Sequence, residues 1–463
     1  MRTIVRTMAV LCVLLTVAAP VGWEVGARPA ALAAGTTERV SVASDESQGT
    51  NSSESPSISA DRRYVAFRSD ATNLVDGDTN GFKDIFVRDR VSGTTERVSV
   101  ASDEGQGNDG SIGGAISADG RYVAFWSAAS NLVVGDTNNF LDVFVRDRLL
   151  GTTERVSVAS DGSQGNFDSI FPAISADGRY VAFRSHASTL VGGDTNNSDD
   201  VFVRDRQAGT TERVSVASDE SQGNNGSYRL SISADGRYVA FDSDASNLVG
   251  LLDTNNWGDI FVRDREAGTT ERVSVTSDEG QQNFGAIFPA ISANGRYVVF
   301  VSYATNLVGG DTNGVGDIFV RNRVAGTTER VSVANDGTQG NGESGNPLIE
   351  CECEPSISAD GRYVAFGSEA TNLVSEDGNG APDIFIRDRL LRTTGRLSVG
   401  SDGSQANNGS GQPSISADGR YVAFRSIASN LVGDDTNGYL DVFVRDRGEQ
   451  PPLLNVFLPV VAR

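Results

Sequence analysis

The chain has 463 residues, with 39 Lys and Arg against 61 Asp and Glu, one His and three Cys, and a formal charge of −22. That charge argues against nucleic acid and anionic membrane as partners, because both require a basic face that displaces counterions. The single histidine, His186, excludes His-rich zinc and facial-triad sites and leaves one residue on which any Ser-His or Cys-His site would have to be built.

Residues 1–33 read as a secretory signal: Arg2 and Arg6 precede the apolar run Met8 to Ala19, and Ala31 and Ala33 form a small-residue cleavage pattern. The run is too short to span a bilayer, and the residues around Cys12 do not fit a lipoprotein signal. The expected product is an exported protein, secreted or held in the cell envelope, with no transmembrane segment in the mature chain.

From residue 34 to 447 one unit recurs. The string Arg-Tyr-Val-Ala-Phe, with one conservative change, starts at Arg63, Arg121, Arg179, Arg237, Arg296, Arg362 and Arg420, at spacings of 58, 58, 58, 59, 66 and 58. Such a period, with almost no helical periodicity inside it, points to a multistrand unit such as a propeller blade. The second copy shows four short apolar segments between turn signals: Gly114 to Ser117, Arg121 to Ser127, Asp142 to Arg146 and Thr152 to Ala159. Ser-Ala-Asp-Gly before each Arg-Tyr predicts a tight turn in which Gly supplies positive φ and Asp an Asx bond. Pro56, Pro172, Pro289, Pro355 and Pro413 are expected at the entry to the first segment, where a missing N–H does least damage. The second and third segments carry consecutive bulky residues, such as Tyr122 to Phe125, so both of their faces must be covered, as stacked blades require.

Counting segments gives the closure. The fourth segment, Thr-Thr-Glu-Arg-Val or a variant, starts at Thr36, Thr94, Thr152, Thr210, Thr269, Thr327 and Thr393, so the chain opens with an orphan fourth segment and ends with three segments that lack one. The predicted fold is all-β: a seven-bladed β-propeller of four-stranded antiparallel blades, its ring closed by the N-terminal strand.

The loop between the second and third segments carries Asp-x-Asn-x-x-x-Asp in every copy. Its members are Asp78, Asn80 and Asp84; Asp136, Asn138 and Asp142; Asp194, Asn196 and Asp200; Asp253, Asn255 and Asp259; Asp311, Asn313 and Asp317; Asp377, Asn379 and Asp383; and Asp435, Asn437 and Asp441. Oxygen ligands at alternate residues around a small bend can wrap a hard cation, so Ca²⁺ is the expected cofactor if these are metal sites. Asp76 makes the first copy the fullest. Elsewhere that position is Val134, Gly192, Leu251, Gly309, Ser375 or Gly433, which predicts weak affinities of about 0.1 to 1 mM. Asp-Thr-Asn-Gly is equally an ordinary turn, with the last Asp capping the following strand.

The connection from each fourth segment begins Ser-Asp-x-x-Gln in most copies and then varies, with Phe167, Phe171, Tyr228, Phe284 and Phe288 as candidate partner contacts. An eight-residue excess in this loop before Asp360 holds Cys351 and Cys353, a Cys-x-Cys pair favoured as a local disulfide. The repeated Arg-Asp-Arg after the third segment, such as Arg88 to Arg90, reads as interblade ion pairing. Residues 448–463 form an apolar tail carrying Pro451 and Pro452.

The pattern Pro-x-Ile-Ser-x-Asp-Gly-Arg-Tyr-Val-Ala-Phe-x-Ser, followed by Asp-Ile-Phe-Val-Arg-Asp and Gly-Thr-Thr-Glu-Arg-Val, resembles the TolB-like propeller repeat of exported bacterial proteins over residues 36–447. TolB itself is similar to a six-bladed ring with an extra amino-terminal domain, from which this sequence departs. The expected function is a non-catalytic binding or scaffold module for a protein or glycan, stabilised by calcium if the loops bind it. The alternative is a carboxylate-based glycan hydrolase or lyase at the propeller mouth, with Glu343, Glu350, Glu352, Asp242 and Asp244 as candidate acids.

Overall fold

A computed structural model describes residues 35–250, 253–345 and 354–448. The predicted signal segment, Cys12, Glu350, Glu352, Cys351, Cys353 and the apolar tail lie outside the described residues. Within them the chain forms seven four-stranded antiparallel sheets. The second blade runs Ser111–Ile116, Tyr122–Ser127, Asp142–Asp147 and Thr152–Arg155, and the other blades repeat it.

The ring closes as the segment count implies. Ser410–Ile415, Tyr421–Ser426 and Asp441–Asp446 make the seventh blade together with Thr37–Arg39, whose residues pair Thr37 with Arg445 and Arg39 with Phe443. Thr37 Oγ1 also donates to Val399 O at 2.6 Å, and Asp446 N donates to Thr36 O at 2.8 Å. The entry to this strand has room only for glycine: a Cβ on Gly35 would lie 1.9 Å from Asp446 O. No free fourth-strand edge is left in the last blade.

Each hydrophobic core belongs to two blades. Val87 and Val98 of the first blade pack with Val123, Phe125, Leu132 and Phe144 of the second, and Val40, Val442 and Val444 of the last pack with Val65 and Phe67 of the first. Val123, Ala124 and Phe125 are all buried completely, as a strand covered on both faces requires. Phe125 stacks on Phe144 within the blade at 5.9 Å, inside the favourable range for offset rings.

The turn end repeats with little change. Asp119 Oδ1 accepts from Arg121 N at 3.0 Å and from Ser117 Oγ at 2.7 Å, and Gly120 takes φ 72° where a Cβ would strike the Tyr64 ring of the preceding blade. Arg121 grips Asp147 through two bonds of 3.0 and 2.7 Å, and Arg148 crosses to Glu96 and the Tyr64 ring of the first blade. The Arg-Asp-Arg run is therefore structural, as its repetition implies. At Asp205 the hydrogen-bonded Arg179 holds the carboxyl down to about 2.

The first strand differs from the expectation. It begins at Ser111 rather than Gly114, and Pro56, Pro172, Pro289 and Pro413 sit inside it, while Pro355 stands at the entry, just before Ser356–Ile357. Ser55 and Pro56 together oppose Phe67, a bulge that the Glu54–Arg68 and Ser57–Ala66 pairs bracket. The strand has a sheet neighbour on one side alone, so a missing N–H in a bulge breaks no ladder.

Candidate functional site

Antiparallel connectivity puts the loops between second and third strands, and those leading from each fourth strand to the next blade, at one end of the ring. The Asp-x-Asn loops lie there, and each pair of aspartates closes on an arginine. Arg97 Nη1 sits 3.1 Å from Asp78 and 3.4 Å from Asp84, and Asn80 Nδ2 donates to Asp84 at 3.2 Å. Gln106, from the Ser-Asp-x-x-Gln loop, accepts from Arg97 at 3.1 Å and donates to Gly77 O at 3.0 Å. The pairing of one arginine with the loop aspartates recurs with Arg39, Arg155, Arg213, Arg272, Arg330 and Arg396. Asp84 and its six equivalents are fully buried. Burial pushes the Asp78 and Asp84 carboxyls up, with the Arg97 charge opposing. Asp76 lies exposed at the loop tip. Among the described residues no group of three or more His, Cys, Asp or Glu is placed to hold a metal ion.

These arginines are the one part of the loop that motif reading missed. Each is the Arg of Thr-Thr-Glu-Arg, or of Thr-Thr-Gly-Arg at Arg396, and in six blades it stands 13 residues after the last loop Asp, while Arg39 reaches Asp441 from the N-terminal strand; only the hairpin register, Phe86 opposite Arg97, brings it beside the loop.

Nearer the axis the repeats stop resembling one another. First strands of five blades, with Glu354 just before that of another, converge on a cavity of about 210 Å³ lined by Gly113, Trp126, Phe171, Arg229, Glu354 and Gln412, among others. Five of the six blades with a described residue at the bulge hold it at positive φ, with Ser55, Phe171, Phe288 and Gln412 doing so without being glycine, a costly conformation kept where surrounding contacts impose it. Arg229 lies 3.9 Å from the Phe171 ring centre and 5.4 Å from that of Phe288, and pairs with Glu354 at 3.1 Å. Below it Arg229 N donates to Asp242 Oδ1; burial pushes the Asp242 carboxyl up to about 7. Phe171 and Phe288, expected at loop tips, are thus channel residues.

At the loop end, a residue after the Asp-x-Asn turn, one in the loop to the next blade and one just after that blade's second strand meet at two junctions between blades. Between the fourth and fifth blades they are Trp257, Phe284 and Tyr303, with ring centres 4.1 and 6.1 Å apart. Between the second and third they are Phe140, Phe167 and His186, at 5.1 and 4.7 Å. His186 therefore rests against Phe167 rather than standing free. Between these two lies a polar junction with Asn225 and Asp244, where Tyr228 donates to Asp244 at 3.2 Å. Trp257, Phe167 and Phe284 keep 45, 43 and 42 % of their surface exposed. Glu343 Oε2 accepts from Gly316 N at 3.0 Å beside Tyr303; burial and that carboxylate push the Tyr303 hydroxyl up to about 12.

No family model and no curated protein matches the sequence. Solved structures do. Oligogalacturonate lyase from Vibrio parahaemolyticus matches with a TM-score of 0.51 at 14% identity, covering 89% of this chain and 96% of that one. An oligogalacturonate lyase in complex with manganese matches at 0.51 and 12% identity, covering 89% and 92%. TolB from Acinetobacter baumannii matches at 0.40 and 14% identity; the match covers 74% of this chain and 62% of that one. What these likenesses share is the fold, and the class is plain: an all-β, seven-bladed propeller of the kind that the TolB-like repeats implied. No helix among the described residues is long and apolar enough to cross a membrane.

Proposed function

We propose that the chain is an exported, non-catalytic binding module whose ligand spans the loop end of blades two to five and the adjoining channel mouth. One observation carries this reading. In a chain that repeats its cores and its loop Arg–Asp pairs seven times, residues at one loop-end position range from aromatic to polar to aliphatic from blade to blade. Trp257, Phe284 and Tyr303 at one junction become Ala381, Asn408 and Ile427 at another. A scaffold alone has no use for that asymmetry, whereas recognition needs it. The arginines supply the cation for the Asp-x-Asn loops in this reading, which leaves no place for Ca²⁺ between the paired carboxylates.

The test compares the two ends. Wild-type chain, a loop-end variant (Phe167→Ser, Trp257→Ser, Phe284→Ser) and a turn-end variant (Leu149→Ser, Leu150→Ser, Leu390→Ser, Leu391→Ser) are immobilised and exposed to an envelope extract of the producing cell. Retention lost in the loop-end variant and kept in the turn-end one supports the reading; loss from the turn-end variant alone sinks it.

Asp242 favours a second reading. A carboxyl that keeps its proton near neutrality is what a general acid of a glycan hydrolase or lyase needs. Against it, Asp242 is almost wholly buried behind Arg229 and bound to the Arg229 amide. Release of new reducing ends or unsaturated sugars from polysaccharides, abolished by Asp242→Asn, would establish the enzyme.

A further inference from the structure

Resting on the loop-end reading, we infer that the aromatic junctions, Trp257–Phe284–Tyr303 above all, are stacking platforms for an uncharged glycan. Three features converge on that ligand. Trp257 and Phe284 stack at 24°, Tyr303 packs beside them tilted 56° to Phe284, and the exposed part of this cluster offers continuous ring surface rather than isolated knobs. The face of a pyranose ring is flat and lined with C–H groups of slight positive charge, the complement of an aromatic face. The rim is the second feature. Glu343 accepts from Gly316 N beside Tyr303, and Asp244 lies against Gly258 next to Trp257, giving acceptors to sugar hydroxyls. The aliphatic patches that a protein partner would seek, Leu149–Leu150 and Leu390–Leu391, lie at the opposite end.

Charge is the third. The chain carries −22, and the rim acids add a local negative field that repels a polyanion. A neutral chain of β-linked hexoses meets no such barrier and can lay successive rings over neighbouring junctions.

Affinity electrophoresis of the chain from residue 34 onward through hydroxyethyl cellulose, galactomannan and polygalacturonate tests this. Retardation by at least one neutral polymer is expected, with none by polygalacturonate. Trp257→Ala should weaken the neutral interaction at least about tenfold, while Leu149→Ser with Leu150→Ser leaves it unchanged. Trp126 and Trp257 are the tryptophans of that chain, so a Trp126→Phe variant reports on the platform alone: its fluorescence should change on titration with the same polymer. Retardation by neither neutral polymer overturns the proposal, as does retardation that Trp257→Ala leaves intact. If the envelope extract still binds through the loop end in that case, the binding face stands and its ligand is a protein. If extract binding is lost from neither end variant, both readings fall.

Discussion

The turn end and the loop end of the propeller are built from the same seven repeats yet treat them differently. At the turn end Arg121–Asp147 is matched by Arg63–Asp89, Arg179–Asp205, Arg237–Asp264, Arg362–Asp388 and Arg420–Asp446, each with a contact of 2.6 to 2.9 Å. One blade departs, with Arg296 facing Asn322 through a single bond of 3.2 Å. At the loop end, by contrast, aromatic, acidic and aliphatic residues alternate at one geometric position around the ring. Every blade must pin the pairing of its own second and third strands at this end, so the ion pair recurs. A ligand touches only part of the ring, so its contacts do not.

The comparison breaks hardest at the closing strand. Deleting residues 35–43 removes the Thr37–Arg445 to Arg39–Phe443 ladder and takes Val40 from the core shared by the last and first blades. An exposed edge and an opened core together should cost several kcal/mol and invite self-association. Urea unfolding with a lowered midpoint and oligomers on size exclusion are expected; a monomer of unchanged midpoint would show that the ring does not depend on its closure.

Next in size is the arginine between the aspartates. Arg155→Leu strands Asp136 and Asp142, buried beside a guanidinium that is itself 9% exposed. Removing one partner of a buried ion pair costs about 3–5 kcal/mol. The variant is also expected to show a larger calcium response than the wild type, because its two carboxylates lose their counter-charge and can bind a cation. A wild-type midpoint that rises with calcium and falls in EDTA would return these loops to the metal-site reading.

These two cases show what was legible in the sequence. Closure was, because counting segments requires no geometry: an orphan Thr36 segment at one end and a missing one at the other define the seam. The role of Arg155 was not. Asp142 and Arg155 are 13 residues apart on antiparallel strands, and only the register, Phe144 opposite Arg155, makes them neighbours. The first strand's extent was hidden for a related reason. Its Gly113 and Gly114 line the channel at a bulge and Ser111 bonds the buried Ser127, so none continues the apolar pattern by which strands are read. Phe167 and Phe171, four residues apart, looked like one aromatic loop, but the strand that begins at Ser169 carries the second into the channel and leaves the first at the face.

A smaller effect separates the channel from the core. Asp242 in the folded chain titrates near 7, whereas an unfolded aspartate titrates at about 3.9. Between those values the unfolded chain releases a proton that the folded chain keeps, so rising pH erodes stability until the folded group ionises as well. Asp242→Asn retains an acceptor for the Arg229 amide and removes the penalty. Its midpoint should exceed the wild type's by a few degrees at about pH 8, with the advantage gone near about pH 4. An equal gain at both pH values would mean that packing, not ionisation, distinguishes the two.

The smallest expected change in stability is at the aromatic platform, and its smallness is the point. Trp257 and Phe284 are more than two-fifths exposed and rest on each other rather than on the blade core. Trp257→Ala and Phe284→Ala should therefore shift unfolding by no more than about 0.5 kcal/mol, whereas truncating the buried Phe261 or Phe300 of the same two blades should cost about 3–5 kcal/mol. If the platform variants destabilise as much as the core ones, the rings serve packing and the loop end loses its claim to recognition. If they leave the fold untouched while abolishing ligand retention, the division between a repeated body and a varied face holds at the level of single side chains. Stability then resides where the repeats agree, and binding where they differ.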